Sequence, residues 1–196
     1  QKACEVAGKE PIFRILPYQK KKAGIVTTGS EVYYHRIEDK FTPVVIEKLK
    51  ECGVTEVKQI QCNDDHEMIT EAIQTLIEDG SDLIVCTGGM SVDPDDRTPL
   101  AIKNACMEVV TYGAPVLPGA MFMLAYCEKE GRQIPVMGLP GCVMYAKRTI
   151  FDLVLPRIMC DEKLHEKDFR LLGQGGLCLS CPVCTFPNCG FGKGGY

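Results

Sequence analysis

Three short motifs combine glycine with polar or proline residues, and each directly follows an apolar run. They are Thr28-Gly29-Ser30-Glu31, Thr87-Gly88-Gly89 and Leu139-Pro140-Gly141. Glycine lets a ligand approach the main chain closely, and free backbone amides at such turns hold phosphate or another anion. The motifs therefore indicate loops that bind an anionic ligand. The structural alternative is that the glycines only form turns.

Acidic side chains accompany these loops. Glu31 belongs to the first motif, and five further carboxylates follow the second and third predicted strands: Asp64, Asp65, Asp93, Asp95 and Asp96. Carboxylates repel an anionic ligand unless a cation lies between them, and Mg²⁺ prefers carboxylate oxygens and bridges phosphates. The combination predicts magnesium-assisted phosphate or oxyanion chemistry.

Two of these carboxylates also have structural interpretations. Asp64 and Glu67 have the spacing of a helix capping box. Asp96 stands near a helix start, where its charge complements the positive end of the helix dipole. Thr98 is predicted as the N-cap of that helix, with Pro99 at its first helical position.

A second group of reactive side chains lies near the end of the chain. Cys178, Cys181, Cys184 and Cys189 bring four thiols into a short segment that also contains glycine and proline. Four thiolates at this spacing suit Zn²⁺ or an iron–sulfur cluster, although the last interval departs from the ferredoxin pattern. The alternative is a reduced, flexible tail. The histidines have no metal-ligand spacing.

Strands and helices alternate along the chain and must position these loops. Buried strands are predicted over 24–28, 56–61, 82–86, 108–111 and 133–137, and helices begin at Thr42-Pro43, 63–65, Thr98 and about Val143. The last of these helices is expected to run to Leu155, and 114–119 to be a loop. This order predicts a three-layer α/β/α domain with a mainly parallel sheet. The carboxyl ends of parallel strands share one edge, so the three motifs should converge.

Composition narrows the class of protein. The 196 residues are 45% hydrophobic and 24% charged, which suits one domain with an appendage. We expect an irregular or extended N-terminal segment over 1–22, the α/β domain over 23–160, and a charged linker with a Cys-rich tail over 161–196. A net charge of −4 gives no reason to expect nucleic acid or an anionic membrane as partner.

Cellular location is predicted from what the sequence does not contain. No apolar run is long enough for a bilayer span, and the start has no signal-peptide pattern. The twelve cysteines are therefore expected to be reduced in a cytoplasmic protein rather than to form a disulfide scaffold. A chain that opens on Gln1 instead of Met is expected to be a fragment or a processed product.

Together the motifs resemble the molybdopterin-binding domain of molybdenum-cofactor biosynthesis proteins. The resemblance rests on the three glycine motifs, Asp64-Asp65, and the loop Met90-Ser91-Val92 through Asp96-Arg97-Thr98-Pro99, and it covers about residues 23–156. The family includes adenylyltransferases, which activate molybdopterin with Mg-ATP, and insertases, which place molybdate into the adenylylated pterin. The resemblance implies a transferase of one of these types, which binds molybdopterin or its adenylylated form and forms a homo-oligomer.

The resemblance also implies roles for individual residues. Asp96, Asp64 and Glu31 match acidic positions of the family and are candidate catalytic residues, holding Mg²⁺ or molybdate. The ligand's phosphate is expected on Thr28–Ser30 and Gly88-Gly89. The full set of candidate binding residues is Thr28, Gly29, Ser30, Thr87, Gly88, Gly89, Ser91, Pro140 and Gly141.

The sequence leaves the activity open. Thr28-Gly29-Ser30-Glu31 resembles the insertase form, whereas Asp96-Arg97-Thr98-Pro99 resembles the adenylyltransferase form. The insertase pattern has Asn-Pro after Leu-Pro-Gly, where this chain has Cys142-Val143. Two alternatives are a non-catalytic pterin carrier or redox sensor with a tail metal cluster, and a nucleotide hydrolase of the competence-damage type.

Overall fold

A six-stranded mixed sheet forms the centre of the protein in the computed structural model, which describes residues 2–8, 13–91, 93 and 95–194. Its strands are β1 (Lys22–Thr28), β2 (Glu56–Cys62), β3 (Leu83–Thr87), β4 (Glu108–Tyr112), β5 (Met123–Lys129) and β6 (Arg132–Leu139). Their order in the sheet is β2-β1-β3-β6-β5-β4. The first four in this order are parallel neighbours, and β5 is antiparallel to both β6 and β4.

Helices cover both faces of the sheet. They are α1 (Lys2–Ala7), α2 (Ser30–Tyr33), α3 (Phe41–Glu51), α4 (His66–Glu78), α5 (Thr98–Ala105), α6 (Ile150–Met159) and α7 (Glu166–Leu172), with 3₁₀ turns at Gly141–Met144 and Gly173–Gly175. The buried side chains of α3 and α6 belong to one hydrophobic cluster, and those of α4 and α5 to the other. The predicted three-layer α/β/α fold with a mainly parallel sheet is confirmed.

Strand alternation divides the core between these two clusters. Ile25 and Val85 belong to the α3/α6 cluster, whereas Val26 and Ile84 belong to the α4/α5 cluster. Successive side chains of a strand point to opposite faces, so a central strand buried on both faces is apolar throughout. This is why continuous apolar runs predicted the central strands correctly.

Strand β5 is absent from the sequence prediction. It pairs with β6 in a hairpin that closes through Glu130 and Gly131, with φ angles of 54° and 75°. Two successive residues with positive φ are typical of a type I′ turn, which usually carries Asn-Gly or Asp-Gly. Because a glutamate occupies the first position here, the sequence lacks the Asn-Gly or Asp-Gly pair that usually indicates this turn.

The predicted helix over 143–155 is wrong at both ends. A 3₁₀ turn covers Gly141–Met144, and α6 begins only at Ile150 and continues to Met159. The start of α6 is fixed by a capping box, because Thr149 N donates to Asp152 Oδ2 at 2.7 Å. The loop between the two helices is part of the tail cavity described below.

The N-terminal segment was predicted to be irregular or extended. Its first part instead forms α1, whereas residues 13–21 form neither helix nor strand and Gln19 N donates to Met159 O at 2.8 Å. Residues 9–12 lie outside the described part of the chain.

The cysteines and the tail differ from expectation. Cys106 and Cys127 form a disulfide, so the expectation that every cysteine is reduced is wrong for these two. Beyond α7 the tail packs onto the domain: Phe191 is 3% exposed and belongs to the α3/α6 cluster. The boundaries proposed at 22/23 and 160/161 stay predictions. None of the helices in the described ranges combines the length and apolarity that a membrane crossing requires.

Candidate ligand site at the sheet edge

Four loops lie side by side at the carboxyl edge of the sheet. The parallel register pairs Thr28 with Cys62, Thr27 with Thr87, and Thr87 with Leu139. The loops after β2, β1, β3 and β6 therefore meet at one edge, as the sequence predicted. We call this edge the motif edge.

Thr28 connects the first two motifs at the motif edge. Its hydroxyl donates to Thr87 O at 3.1 Å and lies 3.2 Å from the Thr98 hydroxyl. Thr98 is the first residue of α5, is fully buried, and makes no capping bond, so the N-cap prediction for Thr98 is wrong. Its side chain instead fixes the start of α5 against β1.

Gly88 and Gly89 are required by this packing. A Cβ on Gly88 would lie 2.7 Å from Thr28 Oγ1, and closer still to the Thr28 carbonyl oxygen. A Cβ on Gly89 would lie 2.8 Å from Thr98 Oγ1. Both residues also have positive φ, at 88° and 54°. The turn-forming interpretation therefore explains their glycine identity, since protein atoms fill the space that side chains would need.

Gly29 and Gly141 have the opposite surroundings. A Cβ built on either residue would meet no atom within 4 Å. Gly29 requires glycine for its φ of 132°, whereas the φ of Gly141 lies outside the left-handed region. The space beside these two glycines is therefore open to a ligand, whereas protein atoms occupy the Cβ side of Gly88 and Gly89.

Asp64 and Asp65 have different structural roles, one at the start of α4 and the other at the first motif. Asp65 is the N-cap of α4, because its Oδ1 accepts from Glu67 N at 2.9 Å and Met68 N at 3.0 Å. These bonds, above all the one from Met68, lower the pKa of Asp65. Asp64 Oδ2 instead accepts from Ser30 N at 2.8 Å, so its predicted capping role is wrong. Asp64 positions the first motif.

Asp96 plays a similar part in the loop after β3. Its Oδ2 accepts from Ser91 N at 2.6 Å, and its own amide donates to Asp93 O at 3.0 Å. Tyr112 Oη donates to Ser91 O at 3.2 Å, and burial together with the Asp96 charge raises the pKa of this tyrosine. The carboxylate thus closes the loop. The neighbouring positions 92 and 94 lie outside the described residues.

The structure shows no magnesium site among these carboxylates in the part of the chain that it describes. Glu31 is exposed in the first turn of α2, directly after Ser30, whose amide donates to Asp64. Within the described ranges, no three Asp, Glu, His or Cys side chains form a group that could hold a metal ion. Magnesium at the motif edge therefore stays a prediction, and no step is derived through it.

A buried hydroxyl at the motif edge has an unmet hydrogen-bonding capacity. Thr87 is 1% exposed, and its Oγ1 has no hydrogen-bond partner among the described residues. Unpaired buried polar atoms are rare in folded proteins because each costs roughly 1–3 kcal/mol. The Thr87 hydroxyl is therefore a candidate ligand contact, and it was among the residues singled out in the sequence.

Sequence reasoning missed a polar network beside this hydroxyl. Gln59 Nε2 donates to Thr27 Oγ1 at 2.9 Å, to Asp39 Oδ2 at 3.0 Å and to Thr42 Oγ1 at 3.1 Å. Asp39 also accepts from the amides of Phe41 and Thr42, which starts α3 one residue before the predicted position. An aspartate three residues before a threonine at a helix start was the available signal.

The remaining candidates lie in two different places. Pro140 is buried and ends β6 at the motif edge, beside Cys142, whose pKa is raised by burial. The four tail cysteines instead line a separate cavity to which none of the three glycine motifs contributes. They form no group that could hold a single metal ion in the described structure. The predicted tail metal therefore stays a prediction.

A mostly parallel sheet with glycine loops along its carboxyl edge defines the class of α/β ligand-binding domains. The chain belongs to the family whose domain is described as a probable molybdopterin binding domain, which it matches over residues 24–159. The family resemblance seen in the sequence is confirmed.

Individual relatives agree with this family. The chain is 35% identical over 85 residues to a CinA-like protein of Mycobacterium sp. (strain MCS), an alignment that covers 43% of this chain and 20% of that protein. The chain thus spans about a fifth of the curated relatives that it matches.

Solved structures show the same fold. The tungsten cofactor synthesizing protein MoaB from Pyrococcus furiosus superposes with a TM-score of 0.59 at 19% identity, covering 74% of this chain and 99% of that one. The protein CinA from Thermoplasma acidophilum superposes with a TM-score of 0.53 at 16% identity, again covering 74% and 99%.

Proposed function

We propose that the motif edge binds molybdopterin, or its adenylylated form, in molybdenum-cofactor biosynthesis. The observation that carries this proposal is the combination, at one edge of a molybdopterin-binding domain, of two glycines facing open space and one unpartnered buried hydroxyl among the described residues. Gly29 and Gly141 would admit the ligand to the main chain, and the Thr87 hydroxyl would pair with one of its polar atoms. The tungsten cofactor protein of the same fold supports this class of ligand.

The two aspartates are proposed as positioning residues that also face the ligand. Asp64 fixes the amide of Ser30 and Asp96 fixes the amide of Ser91, in each case through Oδ2. Each pairing holds a loop in place before the ligand arrives, which lowers the ordering cost of binding. Adenylylation of the pterin with ATP, or insertion of molybdate, is the proposed reaction at this edge, with Glu31 as a further candidate acid.

Gly141 offers a test that separates ligand contact from folding. Because no atom lies within 4 Å of its Cβ position, Gly141→Val should keep the fold, which the urea midpoint of the variant checks. If the ligand approaches this backbone, anaerobic titration with molybdopterin, followed by pterin fluorescence, should give at least tenfold weaker binding, about 1.4 kcal/mol. Gly190→Val is the matched control, since its Cβ position is equally open and lies in the tail. Equal affinity of both variants would refute the proposed site.

Asp96→Ala tests the positioning role. Loss of a hydrogen bond to a charged group costs roughly 1.5–3 kcal/mol, so we expect binding to weaken by about tenfold or more. Asp95→Ala is the control, because Asp95 is an exposed neighbour in the same loop. Unchanged binding and turnover in Asp96→Ala would remove Asp96 from the site.

The same titrations distinguish an enzyme from a non-catalytic pterin carrier. Consumption of Mg-ATP in the presence of molybdopterin identifies an adenylyltransferase, and release of the adenylyl group with molybdate identifies an insertase. Tight pterin binding without either turnover identifies a carrier. Light scattering of the same samples tests the proposed homo-oligomer.

A nucleotide hydrolase is a second candidate function, favoured by the 35% identity to the CinA-like protein. Its ligand would be a pyrophosphate-bridged nucleotide held at the same motif edge. Nucleotide cleavage that is lost in Gly141→Val, together with no affinity for molybdopterin, would replace the first proposal by this one.

A further inference from the structure

The Cys-rich tail is held to the domain at both ends of its cysteine segment. At the start, Leu177 forms an isolated parallel β-bridge with Leu117, and Cys178 N donates to Leu117 O at 2.8 Å. At the end, Phe191 is buried in the α3/α6 cluster and its ring centre lies 6.2 Å from that of Phe186. The segment 178–190 is therefore a closed loop fixed against the domain.

Glycines make this attachment close. A Cβ on Gly176 would meet the Pro115 carbonyl oxygen, and a Cβ on Gly175 would meet the carbonyl oxygens of Gly190 and Lys193. Backbone contacts of this kind leave no room for a side chain, so only glycine fits. Glycines therefore stand at the positions where the tail backbone packs closely. An unstructured extension would not require glycine there.

All four tail cysteines line one cavity. The cavity has a volume of about 430 Å³, and its lining includes Cys178, Cys181, Cys184 and Cys189. Cys178 and Cys189 are partly buried against the α3/α6 cluster, whereas Cys181 and Cys184 are exposed. The cavity lining therefore combines two partly buried cysteines with two exposed ones.

Two basic residues belong to the lining of this cavity, and one of them, Arg148, is also paired with Asp152 at 2.8 Å. Lys147 and Arg148, from the loop between the 3₁₀ turn and α6, line the same cavity. The Arg148 guanidinium lies 5.1 Å from the centre of the Phe186 ring, which is also part of the lining. The Lys147 charge on a lining that also carries four cysteines favours an anionic occupant that the thiols themselves ligate.

The dimensions distinguish between two inorganic occupants. A tetrahedral zinc ion lies about 2.3 Å from each sulfur, so four ligating sulfurs must converge to about 3.8 Å from one another. No three of these thiols form such a group in the described structure. A polynuclear cluster supplies its own iron and sulfide core between the thiolates, so its ligands stay farther apart.

We propose that the tail cavity binds a [4Fe–4S] cluster through Cys178, Cys181, Cys184 and Cys189. The proposal does not rest on the pterin site. Loading is a ligand exchange without redox change: a cluster that carries four small thiolates transfers to the protein, four iron–thiolate bonds to the small ligands break, and four to cysteine form. The four cysteine protons leave on the released small thiols.

The experiment uses the full chain and a synthetic [4Fe–4S] cluster ligated by four mercaptoethanol thiolates, under anaerobic conditions. After desalting, we expect about four iron and four sulfide per chain with broad visible absorption. The double variant Cys181→Ser/Cys184→Ser should lose nearly all of this iron, because half of the ligands are gone. Both residues are exposed, so the variant should keep the wild-type far-ultraviolet circular dichroism and urea midpoint.

Cys4→Ser is the matched control, since Cys4 is an exposed thiol outside the cavity. It should load like the wild type. Binding of one zinc ion per chain in competition with the cluster would overturn the proposal. So would iron retention by the double variant, or a failure of the wild type to take up the cluster.

Discussion

Replacement of Gly88 by alanine tests whether the motif edge depends on close packing between its loops. Gly88 has a φ of 88°, and an added Cβ would press on the Thr28 hydroxyl and carbonyl oxygen. Gly80, at the end of α4, has nearly the same φ of 87° but no atom within 4 Å of the Cβ position. Alanine at either position therefore has the same backbone strain, and the two substitutions differ only in the steric contact of the added Cβ.

The magnitudes follow from these two contributions. A non-glycine residue at positive φ costs roughly 1–2 kcal/mol, partly offset by the lower entropy of the unfolded chain, so Gly80→Ala should lose about 1 kcal/mol. Gly88→Ala adds overpacking against backbone, typically about 1–3 kcal/mol, so its total loss should be about 3 kcal/mol.

Urea unfolding measures the difference. A gap of about 2 kcal/mol corresponds to about 1 M in the urea midpoint and roughly 4–8 °C in Tm for a chain of this size. The slope of the unfolding free energy against urea should be unchanged in both variants. Equal losses in Gly80→Ala and Gly88→Ala would mean that Thr28 gives way freely, and the packing argument for this glycine would fail.

Two further predictions concern the charges that fix helix starts. The Lys48 side chain is 11% exposed and lies 2.7 Å from Asp152, so Asp152→Ala removes the carboxylate both from a buried cation and from the α6 capping box, and should destabilise the fold by about 3 kcal/mol. Glu51 pairs with Arg148 at 3.2 Å and is 60% exposed, so Glu51→Ala should cost less than about 1 kcal/mol in the same urea assay. Similar losses in the two variants would refute the distinction between a buried and an exposed ion pair. The pKa of Asp65 is lowered mainly by the amide of Met68, so its contribution to stability is present above its unfolded pKa of about 3.9 and is lost as pH falls through the folded value. Asp65→Asn, which keeps the cap without the charge, should therefore lose less stability than the wild type between about pH 4 and pH 2, and parallel pH profiles would contradict this.

Local patterns were sufficient for the framework of the domain. The apolar spacing of α4 places Ile69, Ile73 and Leu76 on one face, and all three are buried. Continuous apolar runs predicted β1 and β3, because strands covered on both faces carry no polar alternation. The convergence of the glycine motifs followed from strand direction alone.

Contacts between distant parts of the chain decided the details of the site. Thr28 meets Thr98, 70 positions away, and Ser30 meets Asp64, 34 positions away. The sequence cannot indicate such pairs, because the order of strands in the sheet determines which loops become neighbours. The capping-box spacing at Asp64 was therefore misleading, since its neighbour Asp65 caps α4.

By itself, the sequence determined the fold class, the family and the edge of the sheet where the motifs gather, because periodicity and strand direction are local properties. Only the tertiary structure distinguished Gly88 from Gly141: one is surrounded by Thr28, and the other faces open space. It likewise brought the tail cysteines around one cavity instead of leaving them in an unattached extension. The residue type limits the chemistry that is possible at a position, and the tertiary contacts of that position determine which of these possibilities is realised.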